Sequence, residues 1–290
     1  MKKSSSVTLV ARKKGSGVLD AKRKLIDFLR LQNIAFQVDD HPNTLDGLTE
    51  TDTLNIVSLD QVQHGILVSL GGDGSLLRLI DHASAHGLSL VGINLGRVGF
   101  LTDLSMDNLD GLTQLLSGDY TSDERGLLEV SGVSQNQPTT LGVALNDMMI
   151  SAEKPGKNLD FTVTIDGKNE FRHHADGFLV STPTGSTAYA LSAGGPIIHP
   201  HLDVLLLTSI CSHRLSTRPI VVPPETEITI KIGDLVDRRA VVCTDGTPVD
   251  CLEPGATIKI CQSKRKLRLI HPEGYDFFKA AQHKLRWEFA

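Results

Sequence analysis

The chain has 290 residues, of which 40% are hydrophobic and 22% are charged, and this balance predicts a globular protein with a substantial core. Its net charge of −5 and its aromatic content of 4% give no electrostatic or stacking basis for binding nucleic acid or an anionic membrane. The apolar runs are too short to cross a bilayer, no secretion signal is recognisable, and the four cysteines lack metal-type spacing, so we expect a protein of the reducing cytoplasm.

The first 120 residues alternate between strand and helix patterns. Short apolar runs predict strands at 6–11, 34–38, 65–70 and 88–94. Helical spacing predicts helices at 18–31, from Leu76 to a stop at Gly87, and at 107–118. This alternation predicts parallel βαβ units, and hence a doubly wound, Rossmann-like α/β domain.

From about residue 126 the pattern changes to short strands separated by Gly and Pro turns. The stretch "LDFTVTIDGKNEFRHH" predicts a hairpin around Asp166-Gly167, and "EITIKIGD" places Ile228, Ile230 and Ile232 on one face of a strand. Residues 126–270 therefore predict a β-rich domain built as a β-sandwich.

The end of the chain returns to a helical pattern. Residues 275–287 place Tyr275, Phe278 and Leu285 along one side, and such an apolar side needs a surface to cover it. We expect this helix to pack back on the α/β domain. That domain would then comprise residues 1–125, completed by 271–290.

A Gly71-Gly72-Asp73-Gly74 turn joins the strand at 65–70 to the helix that follows. Glycines at such a junction let an anion approach the free N–H groups of a helix N-terminus. Arg78, one turn into the helix, is either a phosphate contact or an ordinary solvated helix residue. The carboxylate of Asp73 would repel phosphate unless it holds Mg²⁺ or accepts a proton from an attacking hydroxyl. The alternative is an Asp N-cap on a tight turn.

A second stretch, "DGFLVSTPTGSTAYALSAGGPIIHP", runs from Asp176 to Pro200 and is rich in hydroxyl side chains. Short hydroxyls and exposed backbone amides suit the ribose and phosphate groups of a nucleotide. Composition alone leaves an ordinary polar loop equally open.

Together, the GGDG turn, "GINLGRVGFLTDL" at 92–104, Asn146-Asp147 and the stretch beginning at Asp176 resemble the NAD kinases of bacterial, cytoplasmic type. The resemblance extends from about residue 65 to the "IHP" segment near the end. It implies transfer of the γ-phosphoryl group of ATP to the 2′-hydroxyl of the adenosine ribose of NAD, giving NADP. It also implies a divalent cation such as Mg²⁺, a nucleotide site between the two domains, and a homodimer or homotetramer.

The resemblance assigns roles to individual positions. Asp73 matches the acid proposed as proton acceptor, Asp147 stands where the family has Glu, and Thr247 stands where relatives commonly have Gln. His174 lies at a position associated with discriminating NAD from NADH. The positions expected to contact nucleotide are Asp73, Gly74, Asn146, Asp147, Lys157, His174, Asp176, Thr187, Ala188, Tyr189, Ala190, Leu191, Ser192 and Thr247.

Two other functions remain open at this point. A lipid kinase of the diacylglycerol type shares the GGDG turn, but it leaves the hydroxyl-rich stretch without a purpose. A non-catalytic dinucleotide sensor accounts for that stretch, but it gains nothing from an acid beside phosphates.

Overall fold

The computed structural model describes residues 6–12, 15–49, 52–96, 99–134, 137–154, 156–213, 217–233 and 239–285. The chain divides into two compact units. The first, called the α/β unit below, comprises Met1–Glu124 and Leu267–Ala290, and the second, the β-rich unit, comprises Arg125–Lys266.

The α/β unit alternates strands and helices along its first segment. Its strands are β1 (Val7–Val10), β2 (Phe36–Asp39), β3 (Ile56–Val57), β4 (Ile66–Leu70), β5 (Ser89–Asn94) and β6 (Leu104–Ser105). Its helices are α1 (Ser16–Leu31), α2 (Pro42–Leu45), α3 (Asp73–Leu77), α4 (Ile80–His86) and α5 (Asp110–Ser117), with a 3₁₀ turn at Leu59–Gln61.

The strands of this unit form a parallel sheet in the order β5-β4-β1-β2-β3, and β6 pairs with β5. The chain runs outward from β1 through β2 to β3 and then returns to β4 on the other side of β1. The strand order therefore reverses between β1 and β4, which confirms the doubly wound prediction. Sheets of this kind bind ligands at the carboxyl ends of the strands beside such a reversal.

One detail of the helix prediction is wrong. The segment from Leu76 to Gly87 is not one helix but two, because the Leu79 N–H bonds to the Leu76 carbonyl at 2.9 Å and the first helix ends there. The predicted stop is confirmed, since Gly87 ends α4 in the left-handed region with φ 63°. The short α3 begins at Asp73, so the acid of the GGDG turn lies in the first helical turn.

The β-rich unit contains almost no helix. Its strands are the end of β7 (Tyr120–Ser134), β8 (Gln137–Ala144), β9 (Asp147–Ala152), β10 (Leu159–Ile165), β11 (Asn169–Ala175), β12 (Gly177–Ser181), β13 (Leu205–Ile210), β14 (Ile220–Val222), β15 (Ile228–Ile232), β16 (Ala240–Thr244), β17 (Thr247–Leu252) and the start of β18 (Thr257–Pro272). A 3₁₀ turn at Thr184–Thr187 and a short helix α6 (Tyr189–Ser192) follow β12.

These strands form two layers. One is antiparallel in the order β14-β13-β12-β9-β16-β17, and the other contains β11-β10-β15-β18 with β7 and β8. A single cluster of buried apolar side chains takes members from both layers, so the predicted sandwich is confirmed. The hairpin of β10 and β11 turns at Asp166 and Gly167, as predicted.

The terminal segment forms helix α7 (Phe277–Leu285), which belongs to the α/β unit, as expected. Its predicted apolar side is wrong at Phe278, which is 60% exposed. The buried side is centred on Ala281, and Phe277 lies four residues before it on the same side of the helix. Among the residues described, no helix is long and apolar enough to cross a membrane.

Candidate active site

A cavity of about 720 Å³ opens in the α/β unit where the strand order reverses. The segments that line it follow the carboxyl ends of β1, β4 and β5, and they include Gly15, Gly71-Gly72 and Asn94. Lys24 of α1 adds a cation to the lining, while Asp20 and Asp107 add carboxylates. The cavity therefore lies at the position where doubly wound sheets bind ligands.

The glycines of the GGDG turn differ in what the fold requires of them. A Cβ at Gly71 would lie 2.2 Å from the Ser75 Oγ, so only glycine fits there. A Cβ at Gly72 or at Gly74 would have no protein atom within 4 Å among the described residues. The fold therefore explains Gly71, whereas the space beside Gly72 and Gly74 is open to a ligand.

The carboxylate of Asp73 is fixed by the segment that follows β5. Its Oδ2 accepts a hydrogen bond from the Phe100 N–H at 2.7 Å. Its Oδ1 accepts from the Leu101 N–H and from the Thr102 hydroxyl, both at 3.1 Å. The N-cap interpretation of Asp73 is wrong, because Gly72 occupies the N-cap of α3 and the carboxylate faces another loop.

These bonds leave part of the carboxylate free. A carboxylate accepts about four hydrogen bonds, and the three donors occupy two positions on Oδ1 and one on Oδ2. A Cβ on Gly99 would lie 1.8 Å from Oδ1, so this carboxylate position requires glycine at 99. Among the described residues, Asp73 is thus held in one orientation with one acceptor position remaining, on Oδ2.

The loop that holds Asp73 is itself anchored at both ends. The Asn94 Nδ2 donates to the Thr102 Oγ1 at 2.9 Å. At the far end Asp103 bonds to the Nδ1 of His271, which is 1% exposed and also has Asp123 at 3.7 Å. Sequence reasoning quoted both segments as motifs but assigned these polar residues no role.

Arg78 lies further along and does not join this arrangement. It follows the last residue of α3, its side chain is exposed, and it is not among the residues that line the cavity.

In the β-rich unit, the predicted Asn146-Asp147 pair is positioned by an acid that the sequence did not single out. The carboxylate of Asp245 accepts hydrogen bonds from the N–H groups of Leu145 at 2.8 Å, Asn146 at 2.7 Å and Asp147 at 3.2 Å. Asp245 itself adopts a left-handed conformation with φ 47°, and the sequence analysis treated Asp245-Gly246 only as a turn. The pair therefore occupies a rigid bend at the start of β9.

The hydroxyl-rich stretch packs directly on this bend. A Cβ at Gly185 would lie 2.0 Å from the Asn146 carbonyl oxygen, so glycine is required there. The same carbonyl accepts from the Thr182 N–H at 2.9 Å and from the Ser181 hydroxyl at 3.0 Å. The structure thus brings Asn146 and Asp147 together with residues 181–185 of the hydroxyl-rich stretch, just before the predicted contacts at 187–192.

Several hydroxyls of this stretch have a structural role. Ser181, Thr182 and Ser186 are buried, and their hydroxyls bond to backbone atoms of the β-rich unit. Ala190 is also buried, in a small apolar cluster. The more open members are Tyr189, which is 47% exposed, and Ser192.

Asp147 has an unusual electrostatic environment. Its side chain is buried, and this burial, together with the nearby Asp245 carboxylate, raises its pKa to about 7. Burial also raises the pKa of Asp245, although its three backbone donors oppose the shift. Asp147 therefore changes charge in the neutral range, which an exposed aspartate does not.

The remaining predicted positions lie on the surface of the β-rich unit. Lys157 is exposed in the loop before β10, and Thr247 is exposed at the start of β17. The His174 Nδ1 lies 2.7 Å from the Asp160 Oδ1, and both side chains are about half exposed. Asp176 is partly exposed between β11 and β12, and Leu191 and the partly buried Thr187 and Ala188 flank Tyr189.

The chain was compared with known families and structures. The family model for the ATP-NAD kinase N-terminal domain matches residues 7–120, and the model for the ATP-NAD kinase C-terminal domain matches residues 145–272. Among curated proteins, the NAD kinase of Teredinibacter turnerae is 35% identical over 290 residues, covering 99% of this chain and 98% of the relative. The NAD kinase of Thiobacillus denitrificans is 37% identical over 287 residues, covering 97% of each.

Solved structures of NAD and NADH kinases are also similar to this chain. The yeast NADH kinase complexed with NADH superposes with a TM-score of 0.87 at 23% identity, covering 99% of this chain and 89% of that one, which shows the fold. An NAD kinase from Archaeoglobus fulgidus in complex with ATP superposes with a TM-score of 0.74 at 26% identity, covering 97% and 98%. With both domain models matched and identity above 30% over nearly the full length, the chain belongs to the NAD kinase family.

Proposed function

We propose that this NAD kinase uses Asp73 as the proton acceptor for the 2′-hydroxyl of the adenosine ribose of NAD. As the ribose oxygen forms its bond to the γ-phosphorus of ATP, the bond from that phosphorus to the β–γ bridging oxygen breaks and ADP leaves. The hydroxyl proton passes to Asp73. The observation that carries this proposal is the orientation of the carboxylate, fixed by Phe100, Leu101 and Thr102, with one acceptor position remaining on Oδ2.

The triphosphate of ATP is proposed to bind in the cavity of the α/β unit. In support, Gly72 lines the cavity, and Cβ atoms at Gly72 and Gly74 would meet only open space. The free N–H groups at the start of α1 and the Lys24 ammonium supply the positive charge that an anionic ligand needs. Arg78, which follows α3 and does not line the cavity, is proposed to contact only a part of the nucleotide that extends outside the cavity.

A divalent cation, Mg²⁺ in our proposal, neutralises charge on the transferring phosphoryl group when it is bound. Within the described residues, no three carboxylate, histidine or cysteine side chains gather into a metal site. Mg²⁺ that is carried by phosphate oxygens and water needs only one or two protein carboxylates. Asp20 and Asp107, which line the cavity, are the carboxylates available for that role.

The β-rich unit is proposed to bind the NAD dinucleotide. Asn146 and Asp147 lie on the bend fixed by Asp245. Their polar side chains are proposed to contact ribose hydroxyls. The further contacts proposed are Lys157, His174, Asp176, Thr187, Ala188, Tyr189, Ala190, Leu191, Ser192 and Thr247. His174, with Asp160 beside it, is proposed to affect the choice between NAD and NADH. Ala190 contributes through its backbone, since its side chain is buried.

We also propose a homodimer or homotetramer in the cytoplasm. Strand β14 ends its sheet, and its apolar residues Ile220 and Val221 are each 47% exposed, a combination typical of strands that pair with another chain. The described cysteines are free thiols, as a reducing compartment requires. Light scattering on the purified protein tests this proposal, because it predicts a particle with the mass of two or four chains.

Replacing the acid tests the central role directly. We expect Asp73→Asn to lower kcat by about 10²- to 10⁴-fold, the usual size of a general-base contribution, because an amide cannot take the hydroxyl proton. NADP formation is followed in a coupled assay with ATP, Mg²⁺ and NAD, and NAD affinity is measured by calorimetry.

The exposed Asp60→Asn serves as a matched control and should retain wild-type kcat. A kcat for Asp73→Asn within a few-fold of wild type would contradict the proton-acceptor role. Phosphorylation of diacylglycerol without any NADP formation would favour the lipid-kinase alternative, which the family comparison does not support.

The raised pKa of Asp147 predicts a pH dependence of NAD binding. With a pKa of about 7, the carboxyl is mostly protonated at pH 6 and mostly ionised at pH 8. If the carboxylate accepts a hydrogen bond from a ribose hydroxyl, the dissociation constant for NAD should be about tenfold higher at pH 6 than at pH 8.

The Asp147→Asn variant should bind NAD with much less dependence on pH, because an amide does not titrate. The exposed Glu170→Gln variant should keep the wild-type dependence. Calorimetry from pH 5.5 to 8.5 measures the dissociation constant for NAD. An equal pH dependence of this constant in wild type and Asp147→Asn would contradict a role for Asp147 in NAD binding.

A further inference from the structure

A buried lysine lies beside the loop that holds Asp73. The Nζ of Lys284, in the last turn of α7, is buried and has no hydrogen-bond partner in the described part of the chain. It lies 5.0 Å from the centre of the Phe100 ring, within the range of a cation–π interaction. A buried ammonium without hydrogen bonds is costly, so its presence here calls for a compensating interaction.

The groups that face this ammonium provide that interaction. Burial lowers the pKa of Lys284, while the carboxylates of Asp103 and Asp73 oppose the shift by favouring the charged form. Asp103 also bonds to His271, so one of these two carboxylates belongs to the same anchored loop.

Phe100 contacts both the lysine and the acid. Its ring lies beneath the ammonium, and its backbone N–H donates the 2.7 Å hydrogen bond to the Asp73 Oδ2. Oδ2 is the oxygen that retains a free acceptor position. A shift of the Phe100 ring would therefore move the donor that orients this oxygen.

We propose that Lys284 is a positioning residue for phosphoryl transfer: its buried ammonium holds Phe100, and through the Phe100 N–H it holds the Asp73 carboxylate in its working orientation. This inference rests on the proposed role of Asp73 as proton acceptor. It assigns Lys284 no contact with either substrate.

Kinetics of four variants test this inference on the full-length enzyme. Lys284→Met and Lys284→Gln remove the charge, Lys284→Arg keeps a cation, and Lys279→Met removes an exposed lysine from the same helix. We expect both neutral variants to lose kcat by about 10- to 100-fold, the cost of a misplaced catalytic group. KM for NAD and for ATP should stay within about twofold of wild type, because ground-state binding is not affected.

Two further readouts separate positioning from a purely structural role. Lys284→Met should unfold at the wild-type temperature or above it, since it removes a buried unpaired charge. Lys284→Arg should restore most of kcat, and Lys279→Met should match wild type.

Neutral variants that keep kcat within twofold would overturn the inference. So would a loss of kcat that follows a loss of stability and is not restored by arginine. Asp73→Asn, assayed in parallel, keeps the two proposals distinguishable. An inactive Asp73→Asn beside active Lys284 variants refutes only the role of Lys284, whereas an active Asp73→Asn refutes the role of Asp73 itself.

Discussion

The hydrogen bonds to the Asp73 carboxylate join two loops that are distant in sequence and fix the geometry of the α/β site. One loop is the glycine turn after β4, and the other is the segment Phe100–Thr102 after β5. Because both follow neighbouring parallel strands, the fold brings them to the same edge of the sheet. The carboxylate is oriented by two backbone N–H groups and one hydroxyl of the loop between β5 and β6. A fixed orientation suits a group that must accept a proton at one defined position.

The β-rich unit contains a second aspartate whose carboxylate accepts three hydrogen bonds, and this one shapes the backbone. There, Asp245 accepts three backbone N–H groups and fixes the bend that carries Asn146 and Asp147. Its bonds involve both oxygens and serve to shape the backbone, while its neighbour Asp147 is buried and has no comparable donors in the described part of the chain. Burial therefore raises the pKa of Asp147 to about 7. Two acids adjacent in the fold thus differ in role because one has backbone donors and the other does not.

Sequence patterns were sufficient for the architecture and for the family. Alternating strands and helices predicted the doubly wound sheet, and the spacing of Ile228, Ile230 and Ile232 predicted a sandwich strand, because both signals depend on local periodicity. Individual polar contacts were not predictable in this way. The bond from Asp73 to the Phe100 loop joins segments far apart in the chain, and Asp245 looked like an ordinary turn residue. The hydroxyls of Ser181 and Ser186 are buried, and composition, which left the role of this stretch open, does not distinguish a buried hydroxyl from an open one.

The most direct test of the central claim moves the Asp73 carboxylate without changing its chemistry. A Cβ on Gly99 would lie 1.8 Å from the Asp73 Oδ1, so Gly99→Ala must displace the carboxylate. The Cβ of a Gly132→Ala control would meet only ordinary contacts, the nearest at 3.6 Å. The measurement is kcat for NADP formation in a double-mutant cycle of Gly99→Ala with Asp73→Asn. We expect Gly99→Ala to lower kcat by about 10²-fold in the presence of Asp73 and to have no further effect once Asp73 is asparagine, with NAD affinity retained. Equal losses in both backgrounds, or wild-type kcat in Gly99→Ala, would contradict the claim that the position of this carboxylate controls catalysis.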